Sequence, residues 1–310
     1  MPAPDRYPRT ILGTCCVPWN EDGTVAEEIF RNSIRHQITH GVRDLYLFGT
    51  AGEGYAVSDR QFDEITAIFV EEMRQASADP MVGVISLSLP TIIERIERAA
   101  AMGIESFQVS LPSWAALSDQ ELAIFFDETC GRFPRYRFLH YNLPRTKRLV
   151  TPDEYAMLAA KHPNLVATKN SGADYATVVG LLDTSASIRH FFTEMGFGYG
   201  SLIGDCGFLV SFASINPARA HAYFEAGLRR DGASLAAFAR ELAAVSQELK
   251  RTIGATAHMD GAFDKVFCKI HDPRFPLRLL PPYQGATDAA FDAFVHTLRT
   301  QFPQWLPDEA

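Results

Sequence analysis

The sequence predicts an α/β fold, a (β/α)8 TIM barrel with a C-terminal helical extension. Short β-type runs alternate with helical patterns along the chain, and alternation on this scale implies a parallel sheet. Eight such units in about 220 residues fit a closed barrel better than an open, doubly wound sheet. The G-x-G-x-x-G fingerprint that opens many dinucleotide-binding sheets does not follow the first strand.

Eight runs are too short for helices, and most of them are followed by turn residues, so we predict strands at residues 10–17, 43–48, 81–86, 105–110, 137–141, 165–169, 188–192 and 207–212. After Pro217 the pattern is helical, apart from a proline-rich stretch at 272–282. We therefore predict the barrel in residues 1–230 and a helical extension packed on it in residues 231–310.

Four helix starts carry the S/T-x-x-E/Q capping box, in which the first side chain caps an unpaired N–H and the last reaches back. The pairs are Ser58 with Gln61, Thr91 with Glu94, Ser118 with Glu121, and Thr151 with Glu154. Pro152 is expected just inside its helix, where its missing N–H costs nothing.

Composition excludes several classes of protein. Apolar residues make up 47% and charged residues 21% of the 310 residues, which is typical of a soluble globular chain. The net charge is −8 and no basic block is present, so we expect no nucleic-acid partner. No apolar run reaches the ~18 residues of a membrane span, and the opening MPAPDRYPRT lacks a secretory core. Five cysteines without a CxxC pair favour a reducing cytoplasm over disulfides or zinc.

The active site of a (β/α)8 barrel lies at the C-terminal ends of its strands, and three features of the sequence fall there. The first is GTAGEG at residues 49–54, where glycines let backbone N–H groups turn toward an anion and Thr50 adds a hydroxyl. A small carboxylate is the expected guest, and an ordinary glycine-rich turn is the alternative.

The other two features are Tyr141 and Lys169, which end the fifth and sixth predicted strands. A phenol that is hydrogen-bonded to another hydroxyl transfers protons, although packing alone also explains a tyrosine at this point. A lysine that closes a buried strand must have its charge paired, solvated or removed. Either Lys169 extends to solvent at the rim, or it is an amine of lowered pKa that attacks a carbonyl and forms a Schiff base.

Together these segments resemble those of the class I pyruvate-dependent aldolases, the dihydrodipicolinate synthase / N-acetylneuraminate lyase family. PWNEDG at 18–23 resembles the opening TPF…DG pattern, and GTAGE at 49–53 resembles the GTTGE carboxylate loop. YNLP at 141–144 resembles the segment with the catalytic tyrosine, and VATKNSG at 166–172 resembles GIKDSSG with the Schiff-base lysine. The motifs occur in the expected order, and the similarity spans nearly the whole chain.

The resemblance implies catalytic roles for Lys169, Tyr141 and Thr50, and a carboxylate site at Gly49 and Ala51. It also implies a (β/α)8 barrel with a C-terminal extension, assembled as a homotetramer built from dimers. The partners would be a 2-oxo acid and an aldehyde. No cofactor or metal would be required, because the iminium on the lysine withdraws the electrons. Further candidates for substrate binding are Leu209, Arg145, Trp114 and Glu194.

The chain departs from the family pattern in ways that bear on its substrate. Ala51 replaces the second threonine of the carboxylate loop. Trp114 stands where dihydrodipicolinate synthase has a tyrosine contributed across the dimer, and an indole N–H donates but cannot relay a proton. Phe192 falls where a glycine usually lies. These departures argue against lysine-pathway synthase chemistry.

Glu194 and Met195 stand where sialic acid lyases have two acidic residues, which argues against sialic acid. Arg145 lies near the family's carboxylate-binding arginine, but the spacing is shorter by one, so a rim cation is an equal alternative. We expect His36 and His40 to share a solvated helix face rather than a metal site. His140 should point away from Tyr141 by strand alternation.

These observations predict a carbon–carbon lyase, a Schiff-base-forming aldolase that acts on pyruvate or another 2-oxo acid and reversibly cleaves a 2-oxo-4-hydroxy acid. A 4-hydroxy-tetrahydrodipicolinate synthase or a 2-oxo-3-deoxy sugar acid dehydratase on the same scaffold stays open. So does a non-catalytic relative that only binds a 2-oxo acid, although such a protein needs no nucleophilic amine.

Overall fold

The computed structural model describes residues 6–172, 174–255 and 257–307, and a closed barrel of eight parallel strands lies at its centre. The strands pair in chain order, and the last returns to the first. They are β1 (Ile11–Thr14), β2 (Asp44–Leu47), β3 (Met81–Gly83), β4 (Ser106–Val109), β5 (Arg137–Asn142), β6 (Leu165–Asn170), β7 (Arg189–Phe192) and β8 (Gly207–Leu209). The predicted (β/α)8 barrel is therefore confirmed.

The eight strands occupy the predicted runs, with one systematic difference. β1, β3 and β8 each end three residues before the predicted limit. The residues that follow them remain buried, for example Val17, Val84 and Val210, because the loops above the barrel are themselves apolar. An apolar run therefore marks burial beyond the point where ladder hydrogen bonding stops.

Eleven α-helices surround and extend the barrel in the described part of the chain. They are α1 (Glu27–Thr39), α2 (Asp59–Gln75), α3 (Leu89–Ala101), α4 (Asp119–Phe126), α5 (Pro152–Lys161), α6 (Tyr175–Thr184), α7 (Glu194–Ile203), α8 (Pro217–Leu228), α9 (Gly232–Thr252), α10 (Asp260–His271) and α11 (Asp288–Gln301). The predicted division at residue 230 falls between α8 and α9 and stays a prediction, since α9 packs against both α7 and α8. No described helix is long and apolar enough to cross a membrane.

Three of the predicted capping boxes form, those that begin at Ser58, Ser118 and Thr151, and Pro152 is the first residue of α5. The prediction at Thr91 is wrong. Helix α3 begins at Leu89, and the Ser88 hydroxyl accepts a hydrogen bond from the Thr91 N–H at 3.4 Å. Ser88 takes the cap because Pro90 fits the first turn without an N–H.

Strand alternation places the candidate site above the barrel core. Leu139 and Ala167 belong to a buried cluster in the barrel. Tyr141 and Lys169 lie two residues further along the same strands, on the same face and one layer nearer the C-terminal end. His140 lies on the opposite face, with its Nδ1 2.6 Å from the Tyr155 hydroxyl of α5, so the prediction for His140 is confirmed.

A buried ion pair ties the C-terminal helices to the barrel. Lys265 of α10 donates to the Glu53 carboxylate at 2.5 Å, and neither side chain is exposed to solvent. The same carboxylate accepts the Trp19 indole N–H at 2.8 Å and the Leu280 backbone N–H at 2.6 Å. Because Glu53 belongs to the loop after β2, this network fixes α10 over the C-terminal end of the barrel.

We expect Lys265→Met to lower the free energy of unfolding by about 3–5 kcal/mol, because it leaves the Glu53 carboxylate buried without a cation. The double variant Glu53→Gln with Lys265→Met should recover part of this loss, since no unpaired charge remains. Urea denaturation monitored by circular dichroism measures both. The control is Lys161→Met, which breaks a solvent-exposed pair with Asp127 and should cost under about 1 kcal/mol. A Lys265→Met variant as stable as the control would contradict the role given to the pair.

Candidate active site

The structure buries the Lys169 amine among aromatic rings at the end of β6. The side chain is 3% exposed, and its Nζ donates to the Tyr46 hydroxyl at 2.7 Å. The amine also lies 4.2 Å from the ring centre of Tyr46 and 3.7 Å from that of Tyr141. Ring faces favour a cation, but burial dominates and lowers the pKa of Lys169 to about 7. A large fraction of the amine is therefore neutral, and nucleophilic, at physiological pH.

The glycine-rich loop after β2 runs past this amine. A Cβ on Gly49 would lie 2.5 Å from Cε2 of Tyr46 and 3.4 Å from Nζ of Lys169. A Cβ on Gly54 would lie 2.3 Å from the carbonyl oxygen of Phe48. The glycines thus let the loop close against its own backbone and against the Tyr46–Lys169 contact. This steric reason for glycine at 49 and 54 is additional to the expected turning of N–H groups toward an anion.

Tyr141 lies beside Lys169 in the paired strand and is also buried. The Ser171 hydroxyl donates to its phenol at 3.2 Å. Burial raises the pKa of Tyr141, and hydrogen bonds from the Ser171 and Thr50 side chains partly offset this rise. Tyr141 is therefore a protonated phenol whose hydroxyl neighbours provide a route for a proton.

These groups line a small cavity of about 80 Å³ at the C-terminal end of the barrel. It brings together four of the residues proposed from the sequence, namely Ala51, Tyr141, Lys169 and Leu209. Thr50 and Gly49 do not line the cavity but contact two of its residues, Thr50 through its bond to Tyr141 and Gly49 beside Lys169. The cavity is also lined by Thr14, Tyr46, Asp260 and Asp264, which were not predicted from the sequence.

The other three candidates lie outside this lining. Arg145 is about half exposed and donates two hydrogen bonds, at 2.9 and 3.0 Å, to the Asp260 carboxylate, so its charge is already paired. Trp114 is 81% exposed in the loop between β4 and α4. Their roles in substrate binding stay predictions.

Glu194 is buried at the start of α7, and it accepts the backbone N–H groups of Ser211 and Ala213 at 2.8 and 3.1 Å. Its carboxylate thereby holds the loop that follows β8. A substrate hydroxyl would have to compete with two short backbone hydrogen bonds for the same oxygen. The role of Glu194 in substrate binding also stays a prediction.

A second cavity, of about 220 Å³, adjoins the first and shares Thr14, Val210 and Asp264 with it. His36 lies in its wall, so the expectation of a fully solvated face for His36 and His40 is wrong for His36. The His36 ring packs between those of His40 and His271, with ring centres 4.2 and 4.3 Å apart. Within the described ranges, no cluster of three His, Cys, Asp or Glu residues is arranged to hold a metal ion.

Three of these additional residues had a signal in the sequence. Tyr46 carries the only hydroxyl in the apolar run LYLF at residues 45–48, which directly precedes the glycine-rich loop. Asp260 and Asp264 are four residues apart with only Gly, Ala and Phe between them, a spacing that puts both on one helix face. Nothing local indicates that this face turns toward the barrel, because the Glu53–Lys265 contact that orients it joins residues far apart in the chain.

Comparison with known proteins identifies related chains. The sequence is 29% identical over 166 residues to the 4-hydroxy-tetrahydrodipicolinate synthase of an Exiguobacterium species, which is 53% of this chain and 56% of that protein. It is 26% identical over 182 residues to the protein of the same name from a Cyanothece species, 58% of each chain. The chain thus spans less than two thirds of the length of these curated relatives.

Solved structures share the fold at low sequence identity. The crystal structure of YagE from E. coli K12 with pyruvate, a protein of the dihydrodipicolinic acid synthase family, superposes with a TM-score of 0.84 at 17% identity, covering 94% of this chain and 97% of that one. CdNal from Clostridium difficile in complex with mannosamine gives 0.80 at 19% identity, covering 94% and 98%. At these identities the similarity shows the fold alone.

The family comparison covers most of the sequence. Residues 7–266 match the Dihydrodipicolinate synthetase family. The matched range begins before β1 and ends within α10, so it includes every strand of the barrel, the Lys169 and Tyr141 strand ends and the Glu53–Lys265 pair. The chain belongs to the Dihydrodipicolinate synthetase family.

Proposed function

We propose that the protein is a class I aldolase, a carbon–carbon lyase that forms a Schiff base between Lys169 and pyruvate or another 2-oxo acid and reversibly cleaves a 2-oxo-4-hydroxy acid. The observation that carries the proposal is the buried amine of Lys169, whose pKa is lowered to about 7 beside the Tyr141 phenol. A protein that only binds a 2-oxo acid gains nothing from desolvating a lysine, which costs stability.

In the proposed reaction, neutral Lys169 attacks the ketone carbon and gives a carbinolamine. The substrate carboxylate lies on the backbone amides of Thr50 and Ala51, with the Thr50 hydroxyl as a further donor. Loss of water gives an iminium, which stabilises a carbanion at C3 as an enamine. We propose no cofactor, since the iminium supplies the electron sink.

Tyr141 is proposed to shuttle protons during imine formation and at the C4 oxygen of the aldol. Cleavage of the C3–C4 bond requires removal of the proton from the C4 hydroxyl, and aldol formation requires its return. The hydrogen bonds between the Tyr141 phenol and the hydroxyls of Ser171 and Thr50 give this proton a path.

The chain's similarity to proteins named 4-hydroxy-tetrahydrodipicolinate synthase makes that activity the second candidate. A synthase would use the same enamine to attack an aldehyde instead of releasing one. We favour cleavage, because Ala51 removes a hydroxyl from the carboxylate site and Trp114 removes a hydroxyl from the family's proton relay. We further propose a cytoplasmic homotetramer in which the exposed Trp114 ring covers a partner's cavity.

Incubation with pyruvate and borohydride should leave a reduced adduct on Lys169, detected by peptide mass spectrometry. Because the pKa of Lys169 is lowered from 10.5 to about 7, the amine is protonated below that value and neutral above it. The initial trapping rate should therefore rise about tenfold from pH 6 to pH 7.5, and not continue rising toward pH 10 as for an ordinary lysine. Lys161→Met serves as the control and should be trapped like the unmodified protein. No adduct, or an adduct confined to another lysine, would exclude the class I assignment.

Tyr141→Phe should keep the fold, because it removes only a hydroxyl, and should lower kcat by roughly 10²–10³ as a positioned acid–base group is lost. Tyr175→Phe, at a ring that is 60% exposed on α6, is the matched control and should match the parent. Steady-state release of pyruvate from a panel of 2-oxo-4-hydroxy acids measures both. Near-normal turnover by Tyr141→Phe would place proton transfer at another residue.

The substrate should be a 2-oxo-4-hydroxy acid that yields a short or apolar aldehyde. The Glu194 carboxylate already accepts two backbone N–H groups. The hydroxyls of N-acetylneuraminate would therefore be buried unpaired, at about 1–3 kcal/mol each. We also expect poor turnover of aspartate semialdehyde. A kcat/KM for aspartate semialdehyde of ~10⁴ M⁻¹s⁻¹ or more would show that Ala51, Trp114 and Phe192 do not exclude synthase chemistry, and would favour synthase activity.

A further inference from the structure

Helix α10 carries two acidic residues, one helical turn apart, that line the cavity of Lys169. Asp260 is paired with Arg145 by two hydrogen bonds. Asp264 is 9% exposed, and apart from its own backbone N–H no described group donates a hydrogen bond to its carboxyl. Asp264 therefore presents a buried acid to the cavity with its oxygens free for a substrate.

This lack of partners distinguishes Asp264 from the other buried acids at this end of the barrel. Glu53 has a lysine, an indole and a backbone N–H, and Glu194 has two backbone N–H groups. A buried carboxyl without donors costs stability, and neither the barrel ladder nor the attachment of α10 uses this side chain. A group of this kind in a cleft is typical of a functional site.

The charges around Asp264 keep it a proton donor at neutral pH. Burial, followed by the charges of Asp260 and Glu194, raises the pKa of Asp264 to about 8, although Lys169 and the Asp264 backbone N–H oppose this rise. The other titratable groups that sense its charge, the phenol of Tyr46 and the thiol of Cys16, are buried and neutral. The cavity therefore holds a carboxylic acid and an amine whose pKa values burial moves toward each other, a combination suited to proton transfer.

We propose that Asp264 is a catalytic general acid and base for the formation of the Schiff base and of the enamine on Lys169. This inference rests on the proposed function and adds a second acid–base group, besides Tyr141, to the steps at the lysine nitrogen and at C3. The Asp264 carboxylic acid gives its proton to the carbinolamine hydroxyl, the C–O bond breaks, water leaves, and the nitrogen lone pair forms the C=N bond of the iminium.

The carboxylate produced in that step then takes a proton from C3. The electron pair of the C–H bond forms the C=C bond of the enamine, the nitrogen becomes neutral, and Asp264 is a carboxylic acid again. From carbinolamine to enamine the only net change is the loss of one water molecule, and Asp264 ends in the protonated form in which it began. Tyr141 shares the proton transfers of imine formation and alone serves the C4 oxygen, whereas Asp264 alone serves C3.

Exchange of the pyruvate methyl hydrogens in D₂O, followed by proton NMR, reports iminium and enamine formation and needs no aldehyde. Asp264→Asn keeps the shape of the protonated acid but cannot transfer its proton. We expect the exchange rate at saturating pyruvate to fall by about 10²–10⁴ with little change in the half-saturating concentration. The matched control Asp292→Asn, on the exposed face of α11, should exchange like the parent. Circular dichroism verifies the fold of both.

Asp264→Ala provides a second and independent measurement. Formate should enter the space left by the carboxyl and restore exchange in proportion to its concentration, which loss of a merely structural side chain would not allow. Exchange by Asp264→Asn within about threefold of the parent, a change confined to the half-saturating concentration, or failure of formate would each overturn the inference. If the parent protein itself shows neither exchange nor a borohydride adduct, the proposed function fails as well.

Discussion

The buried ion pair between Glu53 and Lys265 is the contact on which the rest of the site depends. It joins the loop after β2 to α10, which are separated by 212 residues in the chain. Removing two charges from water is costly, and the carboxylate has the indole of Trp19 and the N–H of Leu280 to satisfy its remaining oxygen lone pairs. The cost is offset only in this one geometry, so the pair fixes where α10 lies rather than merely adding stability.

Desolvation is the second constraint, and it decides the state of Lys169. Lowering the pKa from 10.5 to about 7 corresponds to roughly 5 kcal/mol against the charged amine. Contacts with the faces of Tyr46 and Tyr141 favour the cation by an amount on the order of 1–2 kcal/mol, which is too little to reverse the effect. Asp260 and Asp264 favour the cation further, but burial still exceeds their effect.

The same low-polarity environment acts in the opposite sense on the acids. It raises the pKa of Asp264, while Asp260 keeps a guanidinium partner at the cavity edge. Burial thus moves an amine and a carboxyl, whose ordinary pKa values are far apart, toward the same pH range. This convergence distinguishes the cavity from its neighbour around His36, where burial lowers the pKa of the imidazole to about 4 and leaves it neutral.

Features that depend on residues close together in the chain could be predicted from the sequence. Strand alternation with a period of two placed Tyr141 and Lys169 on one face and His140 on the other, and three capping boxes fixed helix starts from four-residue patterns. Even among these local features one prediction failed, because the N-cap of α3 is Ser88 and not Thr91, three residues later. The groups that surround the amine could not be predicted in this way, because the Tyr46–Lys169 and Arg145–Asp260 contacts join residues 123 and 115 positions apart. Such contacts form when the barrel closes and α10 docks, and no local pattern encodes the direction in which a distant helix turns its polar face.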